Sequence, residues 1–293
     1  MPATGSPTVR RLRLAAELRR LRIDARKTAE DVGRILGWSK AKVSRYELGQ
    51  SGLKPVDVAR LLDVYRVQDK RRDQLLALAE EATLKGWWES YSDVLTEGHI
   101  AFIGLEAEAT TILGWHINVI PGLLQTEQYA REILSGYNEV APISPRTIER
   151  RLETRLIRQH LLDRHEPPEY VALLDESVLY RQHGDRPVMR SQLGRLADAA
   201  ELPSVTIRIL PLQRSRGLAT DSFVILKFGK AHETALHNVV SIEHLSSSQL
   251  YVEGDADTHT YELAFRHLEK ISLPPSDSRE LIMTASRQVW GGP

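Results

Sequence analysis

The stretch TAEDVGRILGWSKAKVSRYELG, which runs from Thr28 to Gly49, decides the fold of the N-terminal part of the chain. Thr28 is placed to cap a first helix, and Asp31 three residues later completes the pattern of a capping box. Gly37 predicts the end of that helix, because glycine accepts the left-handed conformation found at helix C-termini. Ser39 is then a suitable N-cap for a second helix, which Gly49 closes.

The two predicted helices each carry an apolar face. On the first, the apolar stripe includes Val32 and Leu36. Val43 and Tyr46 share one face of the second helix because they lie three residues apart. The side chains left to face outward are Lys40, Ala41, Lys42 and Arg45, with Ser44 toward the flank. Two short helices joined by a tight turn can place the second in a DNA major groove, so this pattern predicts a helix-turn-helix with a basic outer face.

The surrounding sequence weighs against the alternative of an ordinary solvated surface helix. Residues 8–22 carry apolar side chains at helical spacing, and Pro55 suits the first position of another helix whose apolar positions extend to Tyr65. A final amphipathic segment covers residues 72–82. The N-terminal part is therefore predicted to be a mainly α, repressor-like helix-turn-helix bundle of about five helices.

The same residues resemble a known family. The string SKAKVSRYELGQ (39–50) resembles the recognition helix and following turn of the Xre family of repressor-type regulators, and residues 28–36 resemble the helix before them. The resemblance covers residues 8–82. One departure is Ala29, which stands where many relatives have a glutamine that bonds a phosphate or orients the base-contacting residues.

By position, the resemblance implies base contacts from one group of side chains and phosphate contacts from another. The base-facing group is Lys40, Ala41, Lys42 and Arg45, and the phosphate group is Ser39 and Ser44. Arg26 and Lys27 are candidates for backbone contacts in place of the missing glutamine, although solvated loop charge explains them equally well. The full set of predicted DNA-binding residues is Arg26, Lys27, Thr28, Ser39, Lys40, Ala41, Lys42, Ser44 and Arg45.

The distribution of charge gives an independent indication of a double-stranded DNA partner. The whole chain is neutral, with 39 basic and 39 acidic residues. Residues 1–85 hold 19 Lys and Arg against 11 Asp and Glu, a net charge of +8, so the remainder carries −8. Phosphate neutralisation supplies much of the affinity for DNA, and an acidic body limits nonspecific spreading along the duplex.

Composition and length bound the class of protein. The 293 residues include no cysteine, which excludes disulfides and thiolate metal sites. The N-terminal segment MPATGSPTVRRLRL is polar, and no apolar run approaches the length of a membrane span, so a cytoplasmic location is expected. The predicted organisation is a DNA-binding domain in residues 1–82, a junction in residues 83–104, and an α+β regulatory and dimerisation domain in residues 105–293.

The junction contains two adjacent tryptophans, Trp87 and Trp88. Exposing both indoles to water is unfavourable. We expect them to pack between the domains, and a place in a ligand pocket is the alternative.

The C-terminal part alternates helical and extended patterns. A helix is expected at residues 105–113, and the string WHINVIP (115–121) is expected to be extended. Further strands are predicted at EYVALLDE (169–176), VTIRILP (205–211), FVILKFG (223–229), VVSIEHL (239–245) and QLYVEGD (249–255). Further helices are predicted over residues 126–135, 145–165, 188–201, 258–271 and 276–289. The fold class expected is α+β with a mainly antiparallel sheet.

This half also resembles a known type of domain. The strings that carry the likeness are IPGLLQTEQYAR (120–131), RLIRQHLL (155–162), LDESVLYR (174–181), VMRSQLGRL (188–196) and ILP (209–211). They are similar to the uncharacterised domain that follows an Xre-type helix-turn-helix in many actinobacterial regulators. The resemblance implies regulation, often in genes beside those for small partner proteins.

Motifs for catalysis are missing from the sequence: it contains no GxSxG, HExxH, P-loop or GxGxxG. Asp255, Asp257 and His259 alternate and are candidate metal ligands, but a strand-to-helix turn capped by Asp257 or Thr258 is the more economical explanation. The histidines at 232, 237 and 244 fit surface positions better than ligand positions. We therefore expect no enzyme activity, no cofactor and no metal.

A row of arginines is the best candidate for an effector or partner site. Arg151, Arg155 and Arg158 recur at helical spacing and could clamp an anionic ligand or an acidic partner. The alternative is an ion-paired helix face, because Glu149 and Glu153 are close by in sequence. Further candidates for a pocket are Trp115, Tyr129 and Arg131, for which core packing is the alternative.

Together these patterns predict a sequence-specific DNA-binding transcriptional regulator. One such helix contacts only a few base pairs, so a homodimer on a pseudo-palindromic site is expected. The C-terminal domain would provide dimer contacts and sense a small ligand or a partner protein. Two alternatives are an enzyme or toxin-like C-terminal module with a helix-turn-helix used for autoregulation, and a helical head that binds protein instead of DNA.

Overall fold

A computed structural model describes residues 7–49, 52–213, 218–229, 238–243, 249–252 and 255–291. These ranges contain eleven α-helices and six β-strands, and they divide into two compact units. The first unit is formed by the described part of Met1–Glu89 with two short segments, Gly104–Glu108 and the start of Phe228–Leu236. The second unit holds the rest. Within the described ranges, no helix has both the length and the apolar character needed to cross a membrane.

Five helices build the first unit. They are α1 (Pro7–Asp24), α2 (Ala29–Leu36), α3 (Lys40–Glu47), α4 (Pro55–Val64) and α5 (Asp69–Glu81). The capping box predicted for α2 is present, because the Asp31 amide donates to Thr28 Oγ1 and the Thr28 amide donates to Asp31 Oδ2. Gly37 ends α2 with a φ of 70°, and Ser39 Oγ accepts from the Lys42 amide at 3.1 Å.

The core of the first unit is assembled from one apolar stripe on each helix. The fully buried members are Leu14, Leu18, Val32, Val43, Val58, Leu62 and Ala79. Gly33 allows α2 to approach the turn before α3, since a Cβ at this position would lie 2.7 Å from the Trp38 carbonyl oxygen. Buried Glu17 on α1 forms ion pairs with Arg20 and with Arg71 of α5. The second pair joins the first and last of the five helices of this unit.

The remaining elements follow in chain order. The helices are α6 (Glu97–Glu108), α7 (Glu127–Gly136), α8 (Pro145–Gln159), α9 (Arg186–Ala199), α10 (Asp255–Ile271) and α11 (Pro275–Gln288). The strands are β1 (Thr111–His116), β2 (Glu169–Asp175), β3 (Val205–Leu210), β4 (Phe223–Lys227), β5 (Val239–Glu243) and β6 (Gln249–Val252). Short 3-10 helices occupy Trp87–Tyr91 and Gly122–Leu124, among others.

The strands form one mixed six-stranded sheet in the order β3-β2-β1-β4-β5-β6. The pairs β1–β4, β4–β5 and β5–β6 are antiparallel, so the sheet is mostly antiparallel as expected. The pairs β1–β2 and β2–β3 are parallel, which the sequence analysis did not anticipate. Parallel neighbours need a crossover connection, and α7 with α8 provides the first crossover while α9 provides the second.

Several predicted boundaries are wrong, among them the end of the helix expected over 145–165, which is α8 and ends at Gln159. The helix expected at 105–113 is α6, which ends at Glu108, and the strand expected at 115–121 is β1, which ends at His116. The β-branched residues Thr111 and Ile112 favour extended backbone. They therefore open the strand four residues earlier than expected, opposite Glu169 and Tyr170 of β2.

Two clusters of buried residues contribute to the core of the second unit. On one face of the sheet, Trp115 and Phe223 pack with Phe265 and Leu268 of α10. A smaller cluster joins α7 to α8. Its buried members are Ala130, Leu134, Ile148 and Leu152.

Candidate nucleic-acid interface

Helix α3 buries one face and exposes the other. Val43 is fully buried and Tyr46 is 6% exposed, so both side chains belong to the bundle core. On the opposite side Lys40, Ala41 and Arg45 are exposed to solvent. In the part of the chain that the structure describes, neither Lys40 nor Arg45 makes an ion pair. The helix therefore presents two cationic side chains on a rigid support.

The phosphate candidates surround the ends of the two helices. Ser39 is exposed and caps α3, and Ser44 is partly buried on its flank. Arg26 is exposed and has a left-handed backbone with a φ of 51°. The Lys27 carbonyl oxygen accepts from Arg22 Nη1 at 2.7 Å, which fixes the chain just ahead of α2.

Thr28 is exposed, but its hydroxyl is engaged within the chain. It donates to Asp31 Oδ2 at 2.6 Å and accepts from the Asp31 amide at 3.1 Å. The hydrogen bonds from Thr28 lower the pKa of Asp31, with Arg34 and Lys27 nearby as further positive charges. The structure thus gives Thr28 a capping role.

Lys42 departs from the expected outward orientation. Its Nζ lies 3.0 Å from Asp57 Oδ2 on α4 and 3.8 Å from the centroid of the Trp38 ring. Tyr46 donates to the same carboxylate oxygen at 2.6 Å. Burial raises the pKa of Tyr46 to about 12, and the hydrogen bond to Asp57 acts in the same direction. Although burial disfavours its charge, the hydrogen bonds from Tyr46 and Lys42 together lower the pKa of Asp57.

Trp38 and Arg60 complete this contact between the turn and α4. The Trp38 and Tyr46 rings meet edge to face with centroids 5.7 Å apart. Arg60 also lies over the Trp38 ring, with Cζ 5.2 Å from the ring centroid, and its Nη2 donates to the Leu36 carbonyl at 2.9 Å. Sequence analysis missed the roles of Trp38, Asp57 and Arg60, although an indole in the turn was a signal that could have been followed.

The pocket candidates of the second unit are not brought together as one group. Trp115 is 3% exposed in the sheet core, where its Nε1 has no hydrogen-bond partner among the described residues. Tyr129 is fully buried and its hydroxyl accepts from the Ile120 amide at 3.3 Å. Arg131 is at the surface and binds Glu127 and Glu149. The first two side chains are therefore packed in the core, and the third makes ion pairs at the surface.

The three arginines of α8 contact three different parts of the chain. Arg151 Nε donates to the Val94 carbonyl at 2.9 Å, and Arg155 Nη1 donates to Gln125 Oε1 at 2.9 Å. Arg158 lies over Phe102, with Cζ 5.3 Å from the ring centroid. Burial lowers the pKa of His99 to about 3, and the charges of these three arginines contribute.

The metal candidates do not form a site in the described part of the chain. Helix α10 begins at Asp255, three residues earlier than expected, so Asp257 and His259 lie inside it and are exposed. No group of three or more His, Asp or Glu side chains within the described ranges is arranged to hold a metal ion. The side chain of Asp255 and the histidines at 232, 237 and 244 lie outside the described residues.

The two tryptophans of the junction differ in exposure. Trp88 is 4% exposed, whereas Trp87 is 37% exposed, and their rings meet edge to face with centroids 5.7 Å apart. Their packing between the domains remains a prediction.

The α2–turn–α3 arrangement defines the class of protein. A family model described as a helix-turn-helix domain matches residues 13–75, which span this arrangement, and such a domain indicates a DNA-binding regulator. Residues 100–284 match a second family model, described as a domain of unknown function, DUF5753. This match covers more than half of the chain, and the chain belongs to the DUF5753 family. No curated protein and no solved structure matches the chain significantly.

Proposed function

We propose that this protein is a sequence-specific transcriptional regulator of the Xre type that contacts DNA bases through the exposed face of α3. The observation that carries the proposal is the position of Lys40, Ala41 and Arg45 on a helix whose other face is fixed in the bundle core. Arg is the side chain that most often contacts guanine in the major groove, where it donates to the guanine O6 and N7 atoms. Arg45 is accordingly assigned the main base contact.

The charge of the N-terminal part supports the same proposal. A net charge of +8 in residues 1–85 supplies the sequence-independent attraction to phosphates on which base contacts depend. Ser39 caps α3, Ser44 lies on its flank, and Arg26 and Lys27 precede α2; all four are assigned to the DNA backbone. Thr28 is assigned to the fold of α2 through its capping box.

We further propose that the protein acts as a homodimer and has no enzymatic activity of its own. A single short recognition helix contacts too few base pairs for useful specificity, and two half-sites about one helical turn apart would provide it. The second unit would supply dimer contacts and receive a signal from a small ligand or a partner protein. Arg151, Arg155 and Arg158 are where an anionic signal would act, because they recur at helical spacing on α8 and guanidinium groups suit an anionic ligand.

Selection of DNA from a random-sequence pool tests the proposal. The purified full chain should enrich one pseudo-palindromic sequence whose half-sites lie about one helical turn apart. Its affinity for that sequence should fall steeply as salt is added, because each phosphate contact releases counterions. The double variant Lys40→Ala/Arg45→Ala, which leaves the buried face of α3 intact, is the matched control and should enrich nothing. An unchanged pool after selection with the unmodified protein would contradict the proposal.

A further inference from the structure

Lys40 and Lys42 lie two residues apart on α3 but have different environments. Lys40 is exposed and makes no ion pair in the described ranges, whereas Lys42 keeps only 32% of its side chain exposed. Both lysines were expected to face bases. The structure separates them, because Lys42 turns toward α4.

Three groups hold the Lys42 ammonium. Asp57 Oδ2 is 3.0 Å from Nζ, the Trp38 ring centroid is 3.8 Å from it, and the Tyr46 ring centroid is 5.3 Å from it. A charge-assisted hydrogen bond and a cation–π contact on the same ammonium reinforce each other. Lys42 therefore links the turn, α3 and α4 at one point.

Asp57 gives this link its strength. The residue is 8% exposed, and its Oδ2 accepts from both Lys42 and Tyr46. A buried carboxylate that loses one of its donors is strongly destabilised, so the carboxylate holds both donors in place. Asp57 also stands third in α4, in the first turn, where the helix dipole favours a negative charge.

We propose that Lys42 is a positioning residue that fixes the angle of α3 on α4 through Asp57, and that base contacts fall to Lys40, Ala41 and Arg45. The inference rests on the proposed DNA-binding function and refines it. If Lys42 contacts DNA, the pull of Asp57 on its ammonium opposes that contact. A lysine that positions α3 stays on Asp57 when DNA is bound.

Neutralising Asp57 separates these two roles. If Lys42 contacts DNA, Asp57→Asn frees the ammonium and removes a nearby negative charge, so affinity for the selected operator rises. If Lys42 positions α3, Asp57→Asn and Lys42→Gln each lower operator affinity about tenfold, and affinity for random DNA changes by less than about twofold. The double variant Lys42→Gln/Asp57→Asn should then bind the operator as tightly as either single variant, because each substitution removes the same Lys42–Asp57 link.

Lys40→Gln is the matched control, since it removes one positive charge from the same helix. A lysine brought to the DNA surface displaces counterions, so Lys40→Gln should reduce the slope of log affinity against log salt by about 0.9. Lys42→Gln should leave that slope unchanged. Tyr46→Phe, which removes one hydroxyl and keeps the Lys42–Asp57 pair, provides a milder test if either charge variant fails to fold, and should lower operator affinity by less than Asp57→Asn.

Titrations of fluorescent operator and random duplexes with these variants give distinguishable outcomes. The inference is supported if Lys42→Gln and Asp57→Asn lose similar operator affinity and Lys42→Gln leaves the slope of log affinity against log salt unchanged. A gain in affinity for Asp57→Asn, or a reduced slope for Lys42→Gln, overturns it and leaves the proposed function standing. If the unmodified chain selects no operator, the proposed function fails and this inference falls with it.

Discussion

Helices α3 and α8 are both basic, but they use their charges differently. On α3, Lys40 and Arg45 are exposed and make no ion pair with any described residue. On α8, Arg150 binds Asp93 and donates to the Ser90 carbonyl, and Arg151 donates to the Val94 carbonyl. Cationic side chains at helical spacing therefore indicate a helix with a basic face. Only the partners contributed by the rest of the chain show whether that face binds another molecule.

The lengths and neighbours of the two helices explain the difference. Helix α3 has eight residues, and the core takes one face and leaves the other open. Helix α8 has fifteen residues, and the segment 90–94 accepts hydrogen bonds from Arg150 and Arg151 on it. The partners of Arg150 and Arg151 in that segment precede them by 57 to 60 residues, beyond the reach of any local pattern.

The largest loss of stability is expected from a substitution where α8 packs against the core. Leu152 is 2% exposed in the cluster between α7 and α8, so Leu152→Ala should lower the free energy of unfolding by about 2–5 kcal/mol. Arg146→Ala, at an exposed position of the same helix, should stay within about 0.5 kcal/mol. Urea unfolding measures both. Equal losses of stability for the two variants would contradict the packing of Leu152 between α7 and α8.

A smaller loss of stability is expected when Arg155 of α8 is replaced. Gln125 is 3% exposed, and its Oε1 accepts from Arg155. Arg155→Ala leaves a buried amide oxygen short of a donor, so the free energy of unfolding should fall by about 1–3 kcal/mol. The salt dependence of DNA binding should not change. If Arg155→Ala instead reduced the slope of log DNA affinity against log salt and left stability unchanged, Arg155 would contact DNA. The contrast between α3 and α8 would then be wrong.

The lowered pKa of His99 makes the stability of the chain depend on pH. Burial, aided by the three arginines, lowers its pKa from 6.5 to about 3, so the unfolded chain binds more protons than the folded chain between these values. The free energy of unfolding should therefore fall as pH is lowered through this window, by up to about 1.4 kcal/mol per pH unit from this residue. Urea unfolding of His99→Gln from pH 6 to 4 should show a shallower pH dependence than the unmodified chain. Identical profiles would count against a neutral His99.

The smallest effect is expected at Arg131. Its ion pairs with Glu127 and Glu149 are exposed, and such pairs contribute at most about 1 kcal/mol. Arg131→Ala should lower the unfolding midpoint in urea only slightly, and Arg131→Lys should restore most of the loss. A loss above about 2 kcal/mol would contradict the small contribution expected of an exposed ion pair.

Local signals allowed much of the first unit to be predicted. The caps at Thr28 and Ser39 and the helix end at Gly37 depend on residues within one turn of each other, and all three are present. The apolar stripes followed from helical periodicity. The sheet was harder to predict, because the parallel direction of β1, β2 and β3 depends on helices that lie between the strands in sequence.

The candidate site was predicted in outline but not in its contacts. Periodicity distinguishes the buried Val43 from the exposed Arg45, but it cannot show that Lys42 finds Asp57 fifteen residues later. That pairing depends on how α4 crosses α3. For the arginines of α8, sequence proximity points to Glu149 and Glu153 as partners, whereas their contacts include Val94, Gln125 and Phe102 on other parts of the chain.

The central claim, that the exposed face of α3 contacts bases, is tested most directly by the ratio of operator to random-DNA affinity for Arg45→Ala. We expect a loss of about 1–3 kcal/mol on the operator, a smaller loss on random DNA, and relaxed preference at one base position. Arg146→Ala, an exposed arginine of α8, is the matched control and should leave the ratio unchanged. Equal losses on both DNAs for Arg45→Ala, or no loss on either, would contradict the claim.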